Sequence, residues 1–288
     1  MHGGSFDEGD GSKNKGLKSM PFNAMKRWWK ARNPKERLAV GVVSGILALL
    51  MLWLVVEDHD NLFVMAEIVH FGGIGVLIYK LVKEKNCAGL SLRSQELTLI
   101  FLLVRLYCSL VMEYDIHTLL DMLTALATGW VIYMMYTDTK LRATYNPDLD
   151  TIKVYYVAGP CLVVALIAHP TTNHILLHKM MWAFCVYTEA VSVLPQLRTM
   201  QKAMVVERFT AHYVFALGVA RFLSCAHWLL QIMDGDAFLW NALGSGLWPI
   251  MVLLSEIVQT VILADFCYYY VKSFAEGGSV VRLPAGVV

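Results

Sequence analysis

The stretch "HYVFALGVARFLSCAHWLLQ", His212 to Gln231, decides how the rest of the chain is read. It is long and apolar enough to cross a hydrocarbon core of roughly 30 Å as one helix of about 20 residues. Yet it carries Arg221 and His227 in its interior. Ionisable groups inside a membrane helix face the bundle interior, find partners there and mark function. The stretch therefore predicts a helix of a polytopic bundle whose polar groups meet others from neighbouring spans.

Composition agrees. Of 288 residues, 57% are hydrophobic and 16% charged, well below the roughly one quarter charged of soluble domains. Eight apolar segments reach spanning length, near 38–56, 62–82, 96–113, 117–137, 153–169, 174–196, 211–231 and 247–272. The third and fifth contain Arg105 and Pro160, which need partners from neighbouring helices. The net charge of +1 says little, but the placement of charge says much. The N-terminal tail is basic, with Lys13, Lys15, Lys18, Lys26, Arg27, Lys30, Arg32, Lys35 and Arg37. Lysine and arginine then concentrate on alternate connections, "KLVKEKNCAGLSLR", "TDTKLRATYNPDLDTIK" and "RTMQKAMVVER". The connections between them, "EDHD", "EYDIH", "HPTTNH" and "MDGDAF", are acidic or neutral. Positive residues stay cytosolic, so both termini are expected on the cytosolic side.

Segment 38–56 has no small-residue cleavage pattern and follows a long tail, so it reads as an anchor and not a removed signal. "MKRWWKAR", 25–32, suits either an interfacial segment on anionic lipid or the positive stop of the following helix. The six cysteines lie almost entirely within spans and show no CxxC spacing, so neither a disulfide framework nor a zinc site is indicated. No nucleophile–base set, metal spacing or phosphate loop supports an enzyme. No cofactor and no nucleic-acid partner is expected.

Two signals recur at comparable places in the last seven spans, "CAGLSLRSQEL" at 87–97 and "VSVLPQLR" at 191–198. In the second, Pro195 would kink the end of a helix and Gln196 would satisfy the carbonyls it loosens. Two three-helix units joined by a linking helix is a recurrent membrane design. Together with "LVR" ending at Arg105, "KLRATYNPDLDTIKV", "VYTEAVSVLPQL", "TAHYVFALGVAR" and "VQTVILADFCYYY", these residues resemble the KDEL receptor family, the ER lumen protein-retaining receptors. The resemblance covers roughly 60–285. It implies a seven-helix PQ-loop/sugar-efflux-like 3+1+3 bundle, which with the apolar segment at 38–56 makes an all-α membrane fold of eight transmembrane helices. The parts would be a cytosolic basic tail at 1–37, an extra transmembrane helix at 38–56, a receptor-like core at 61–272 and a cytosolic tail at 273–288. It also implies residence in endoplasmic reticulum or Golgi membranes, binding of C-terminal retrieval signals, and contact with vesicle coats.

The resemblance assigns peptide contacts to Arg105, Trp182 and Trp228, and a pH switch to His70 and Glu189. Each has a plainer alternative: a snorkelling arginine, aromatic belt or packing residues, a structural histidine. Arg221 is expected to pair with a buried acid, because unpaired charges are costly there. Asp265 matches an aspartate linked to retrograde movement. Several positions depart from the family pattern. An opening arginine is absent, with Phe63 or Val64 in its place. A tyrosine becomes Ala220, an asparagine His227, an arginine Gln231, a glutamate Lys179 and an aspartate Cys108. The C-terminal lysine run shrinks to Lys272 and Arg282. Each lost charge-assisted pair costs on the order of 1.5–3 kcal/mol, so standard HDEL or KDEL signals are not expected to bind. Two other readings remain: a small-solute transporter of the same fold, with Lys179, His227 and Gln231 along its path, and a trafficking regulator acting through the basic tail.

Overall fold

The computed structural model describes Val43, Leu47 and residues 60–112, 116–234, 246–275 and 280–282. The chain divides into two units, 1–57 and 58–288. In the first, Val43 and Leu47 are helical and exposed. The expected basic tail and the remainder of the expected extra helix lie outside the described residues.

The second unit is helical: α1 Asp60–Glu84, α2 Leu92–Met112, α3 Ile116–Thr137, the short α4 Thr139–Thr144, α5 Val154–Ile167, α6 Leu176–Val191, α7 Leu194–Ala203, α8 Arg208–Asp234 and α9 Trp248–Ala275. Among these, α1, α2, α3, α8 and α9 are long and apolar enough to cross a membrane, while α5 is apolar but shorter. Their outward faces carry large apolar side chains such as Leu110, Leu126, Trp130, Ile167 and Val261, each more than half exposed. Such surfaces belong in lipid. The protein is an all-α membrane protein.

Helix α1 packs along α8 and α3, α2 on α3 and α6, and α9 on α8 and α6. Small residues permit the close approaches. A Cβ at Gly73 would meet Ala216 Cβ of α8 at 3.0 Å, and one at Gly218 would collide with Cys267 Sγ of α9.

The segment expected to run as one helix over 174–196 is broken. Helix α6 ends at Val191, and α7 starts afresh with Pro195 in its first turn. Proline lacks the N–H and crowds the carbonyl four residues back, so the older helix stops there. Gln196 also differs from expectation. Its Oε1 accepts from the Ser91 amide and its Nε2 donates to the Gly89 carbonyl, both at 2.8 Å. It therefore stitches α7 to the α1–α2 loop instead of serving its own helix. Gly89 has φ +75°, a left-handed conformation that glycine adopts without strain. Around this contact Ser91 caps α2, its Oγ accepting from the Ser94 amide and donating to Asp150. Asp150 also accepts from the Arg93 amide and from the Tyr145 hydroxyl. This end of the bundle, termed the PQ end below, is a polar lattice built across three connections.

A feature absent from the expected all-α design completes it. Strands β1 Val205–Glu207 and β2 Val280–Arg282 pair antiparallel, with Val206 opposite Val281. The fully buried Lys80 holds β1 and α8 to α1, pairing with Glu207 at 2.6 Å and donating to Thr210 Oγ1 at 2.7 Å.

Candidate functional site

Away from the PQ end, polar residues of six helices converge. Arg105 of α2 lies where it can reach α3 and α6. Its Nε donates to Asp121 Oδ2 at 2.7 Å and its Nη2 to Asp121 Oδ1, a bidentate fork. Its Nη1 donates to Glu189 Oε2 at 2.9 Å. Glu189 in turn accepts from Arg221 Nη1 on its other oxygen. One glutamate of α6 thus bridges arginines of α2 and α8, and both guanidiniums lie over the Phe101 ring, at 5.6 and 5.8 Å. The side chains of all three bridge residues are only 11–12% exposed.

This bridge separates two narrow, water-sized cavities, and His70, Glu189 and Arg221 line both. The one toward the PQ end is walled by Ser94, Thr98, Ser192, Leu217 and Gln259. The other, toward the start of α1, is walled by Phe63, Ala66, Glu67, Arg105, Ala220 and Ser224. Arg105 lies seven positions beyond Thr98 on α2, about 10 Å at 1.5 Å per residue, so the bridge sits mid-bundle with a cavity on either side.

At the mouth beyond Phe63 the chemistry is aromatic and acidic. The Phe63 ring lies 4.8 Å from that of His117 and 5.4 Å from that of His227, which packs edge-on against Trp228 at 5.8 Å. Glu67 Oε2 is 2.9 Å from His117 Nδ1, while its Oε1 is buried without a hydrogen-bond partner. Behind Ser224 lies Glu256, accepting from Ser224 Oγ at 3.0 Å and from Gln259 Nε2 at 2.6 Å.

Of the residues singled out in the sequence, His70, Arg105, Glu189, Ala220 and Arg221 meet around these cavities. Phe63, standing where an arginine was expected, lines the second cavity as well, and the remaining ones line neither. Trp182 and Trp228 are half-buried and pack with Tyr187, Trp248 and Val252. Lys179 Nζ donates to the Thr172 carbonyl at 3.2 Å. Gln231 sits half-buried further along α8, and Asp265 is exposed on α9. Cys108 is buried beside the His178 carbonyl. Four participants had not been singled out: Glu67, Asp121, His117 and Glu256. The three acids were visible by the rule applied to Glu189, each a carboxylate inside an apolar span. Among the described residues no group of three His, Cys, Asp or Glu side chains is arranged to hold a metal ion.

The profile of the ER lumen protein retaining receptor family matches residues 86–231, which contain α2–α7, the α1–α2 loop and most of α8. Among similar proteins, an ER lumen protein-retaining receptor of Entamoeba histolytica is 31% identical over 75% of this chain and 96% of its own length. One from Plasmodium falciparum is 33% identical over 73% and 91%. ER lumen protein-retaining receptor A of Arabidopsis thaliana is 33% identical over 78% of this chain and its full length. With the profile spanning half the chain and relatives above 30% identity across most of it, this protein belongs to the ER lumen protein-retaining receptor, or KDEL receptor, family.

Proposed function

We propose that this protein is a KDEL-receptor-like membrane protein acting in the retention of ER luminal proteins and in Golgi-to-ER vesicular transport, with a pocket that does not take a standard HDEL or KDEL signal. Family membership supports the first half. The second rests on the engagement of Arg105, whose fork is taken by Asp121 and whose remaining arm reaches Glu189. An arginine already holding two carboxylates offers little to a third. The losses at Phe63, Ala220 and Gln231 point the same way. The protein works without cofactor or catalysis, in ER or Golgi membranes, as a seven-helix 3+1+3 core behind an extra N-terminal span, with both termini cytosolic. Its ligand is a different luminal group, and coat components are its partners on the cytosolic side. The test is twofold. The steady-state location of the tagged protein should be early secretory, and immobilised HDEL peptide should fail to capture it under mildly acidic conditions. Clear submicromolar capture would overturn the altered-pocket reading; a plasma-membrane location would overturn the retention reading.

One observation favours a second reading. Two cavities on opposite sides of a mid-bundle bridge is the arrangement expected of an alternating-access transporter. Flux of a solute panel into proteoliposomes separates the two.

A further inference from the structure

We propose that the cavity beside Phe63 takes a cationic group, an amine or guanidinium carried on a peptide or small solute, in place of a terminal carboxylate. The proposal deepens the receptor reading, since it names the ligand chemistry of the same site.

Four observations converge. First, Glu67 lines this cavity, is 7% exposed, and keeps Oε1 buried without a partner. A carboxylate oxygen shielded from water gains most from a donor that brings positive charge. Second, Phe63, one helical turn before Glu67 on α1, lines the same cavity, its ring packed near those of His117 and His227. An aromatic face beside a carboxylate attracts ammonium and guanidinium groups and offers nothing to an anion. Third, the arginine that would receive a carboxylate is occupied from within. Asp121 holds the Nε–Nη2 edge of Arg105 in the geometry a terminal carboxylate would use, and Glu189 holds Nη1. Fourth, the balance of groups runs the same way. Glu67, Asp121, Glu189 and, behind Ser224, Glu256 surround the cavity, against two guanidiniums. The one lysine expected to reverse the sign, Lys179, is turned to the Thr172 carbonyl and lines neither cavity. The Ser224 hydroxyl in the cavity wall is a second oxygen for a donor.

The test uses the full-length protein in lipid nanodiscs. It is titrated calorimetrically with Nα-acetyl-arginine methylamide and Nα-acetyl-lysine methylamide as peptide-borne cations, with agmatine as a free solute cation, and with an HDEL-ended peptide acid. At least one cation should bind saturably, and the carboxylate-ended peptide should not. Preference for the acetylated amides assigns a peptide source, and preference for agmatine a solute. Glu67→Gln, which keeps the side-chain shape, should weaken cation binding about tenfold or more; Glu67→Asp should restore part of it, and Phe63→Leu should weaken it several-fold. Failure of every cation to bind, unchanged cation binding in Glu67→Gln, or tighter binding of the peptide acid would each overturn the proposal. The receptor reading fails separately, through a location outside the early secretory membranes, so the two failures are distinguishable.

Discussion

Replacing Glu189 by glutamine should destabilise the bundle by about 3 kcal/mol, because one carboxylate holds two buried arginines. Two charge-assisted hydrogen bonds, to Arg105 at 2.9 Å and to Arg221, are lost. At roughly 1.5–3 kcal/mol each, their removal amounts to about 3–6 kcal/mol. The glutamine carbonyl retains one neutral acceptor and returns about 1 kcal/mol. Arg105 keeps the bidentate hold of Asp121, which softens its loss. Arg221 keeps the Phe101 ring at 5.8 Å but loses the glutamate's charge. The resulting figure sits at the lower end of the roughly 3–5 kcal/mol found when one partner of a buried pair is removed. The assay is reversible unfolding in mixed micelles titrated with dodecyl sulfate, for the parent, Glu189→Gln, Arg221→Gln and the double variant. Because the double variant leaves no orphaned charge on α8, its loss should fall short of the sum of the singles by about 2 kcal/mol. A loss below about 0.5 kcal/mol for Glu189→Gln, or additive singles, would refute the bridge as a stabilising element.

Further outcomes follow from other parts of the bundle. Gln196→Leu leaves the Ser91 amide and the Gly89 carbonyl without partners and should cost about 2–4 kcal/mol in the same unfolding assay. Gln196→Glu should not rescue it, since a carboxylate cannot donate to Gly89. Gly73→Leu forces side-chain atoms into the 3.0 Å approach to Ala216 and should lower the yield of folded protein sharply, whereas Gly75→Leu, which meets nothing, should be tolerated. Burial, then its hydrogen bond to Asp150, raises the ionisation range of Tyr145, which lies between α4 and α5. A raised folded-state value means its contribution is complete below the unfolded value of about 10 and is lost as pH rises beyond that. Parent stability should therefore fall above about pH 10, and Tyr145→Phe should flatten that limb while lowering stability at neutral pH.

The motifs that carry the resemblance build the frame. In "HYVFALG", Tyr213 is fully buried and its hydroxyl accepts from Gln95 at 2.7 Å, Ala216 lies against Gly73, and Gly218 admits α9. In "KLRATYNPDLDTIKV", Tyr145 and Asp150 order the start of α2. These roles need particular side chains at fixed places, so they stay legible as short strings. Helix existence was legible for the same reason, from run length and charge alternation. The break at Val191–Leu194 was only half legible: proline announced a disturbance, but a kink and a fresh helix begin with the same residue. The β1–β2 ladder was not legible at all, because three-residue strands have no periodicity and their pairing joins segments more than seventy residues apart.

The sign of the site is a different kind of property: the bundle sets the guanidiniums of Arg105 and Arg221 among the carboxylates of Glu67, Asp121, Glu189 and Glu256. Arg105 was legible as an intramembrane cation, yet what it can bind depends on Asp121, sixteen positions away on another helix. No spacing rule links the two, since the link is made by the packing of α2 on α3. Read residue by residue, Arg105 looks available for a carboxylate; placed beside Asp121 and Glu189 it is already satisfied. The same holds for Lys179, a charge reversal on paper whose ammonium turns away from the cavities. A family frame thus carries over through local strings, while ligand chemistry is set by which charges the assembled helices bring within about 3 Å of one another. Here that assembly leaves Arg105 held by two carboxylates while a buried oxygen of Glu67, in the wall of the same cavity, has no hydrogen-bond partner.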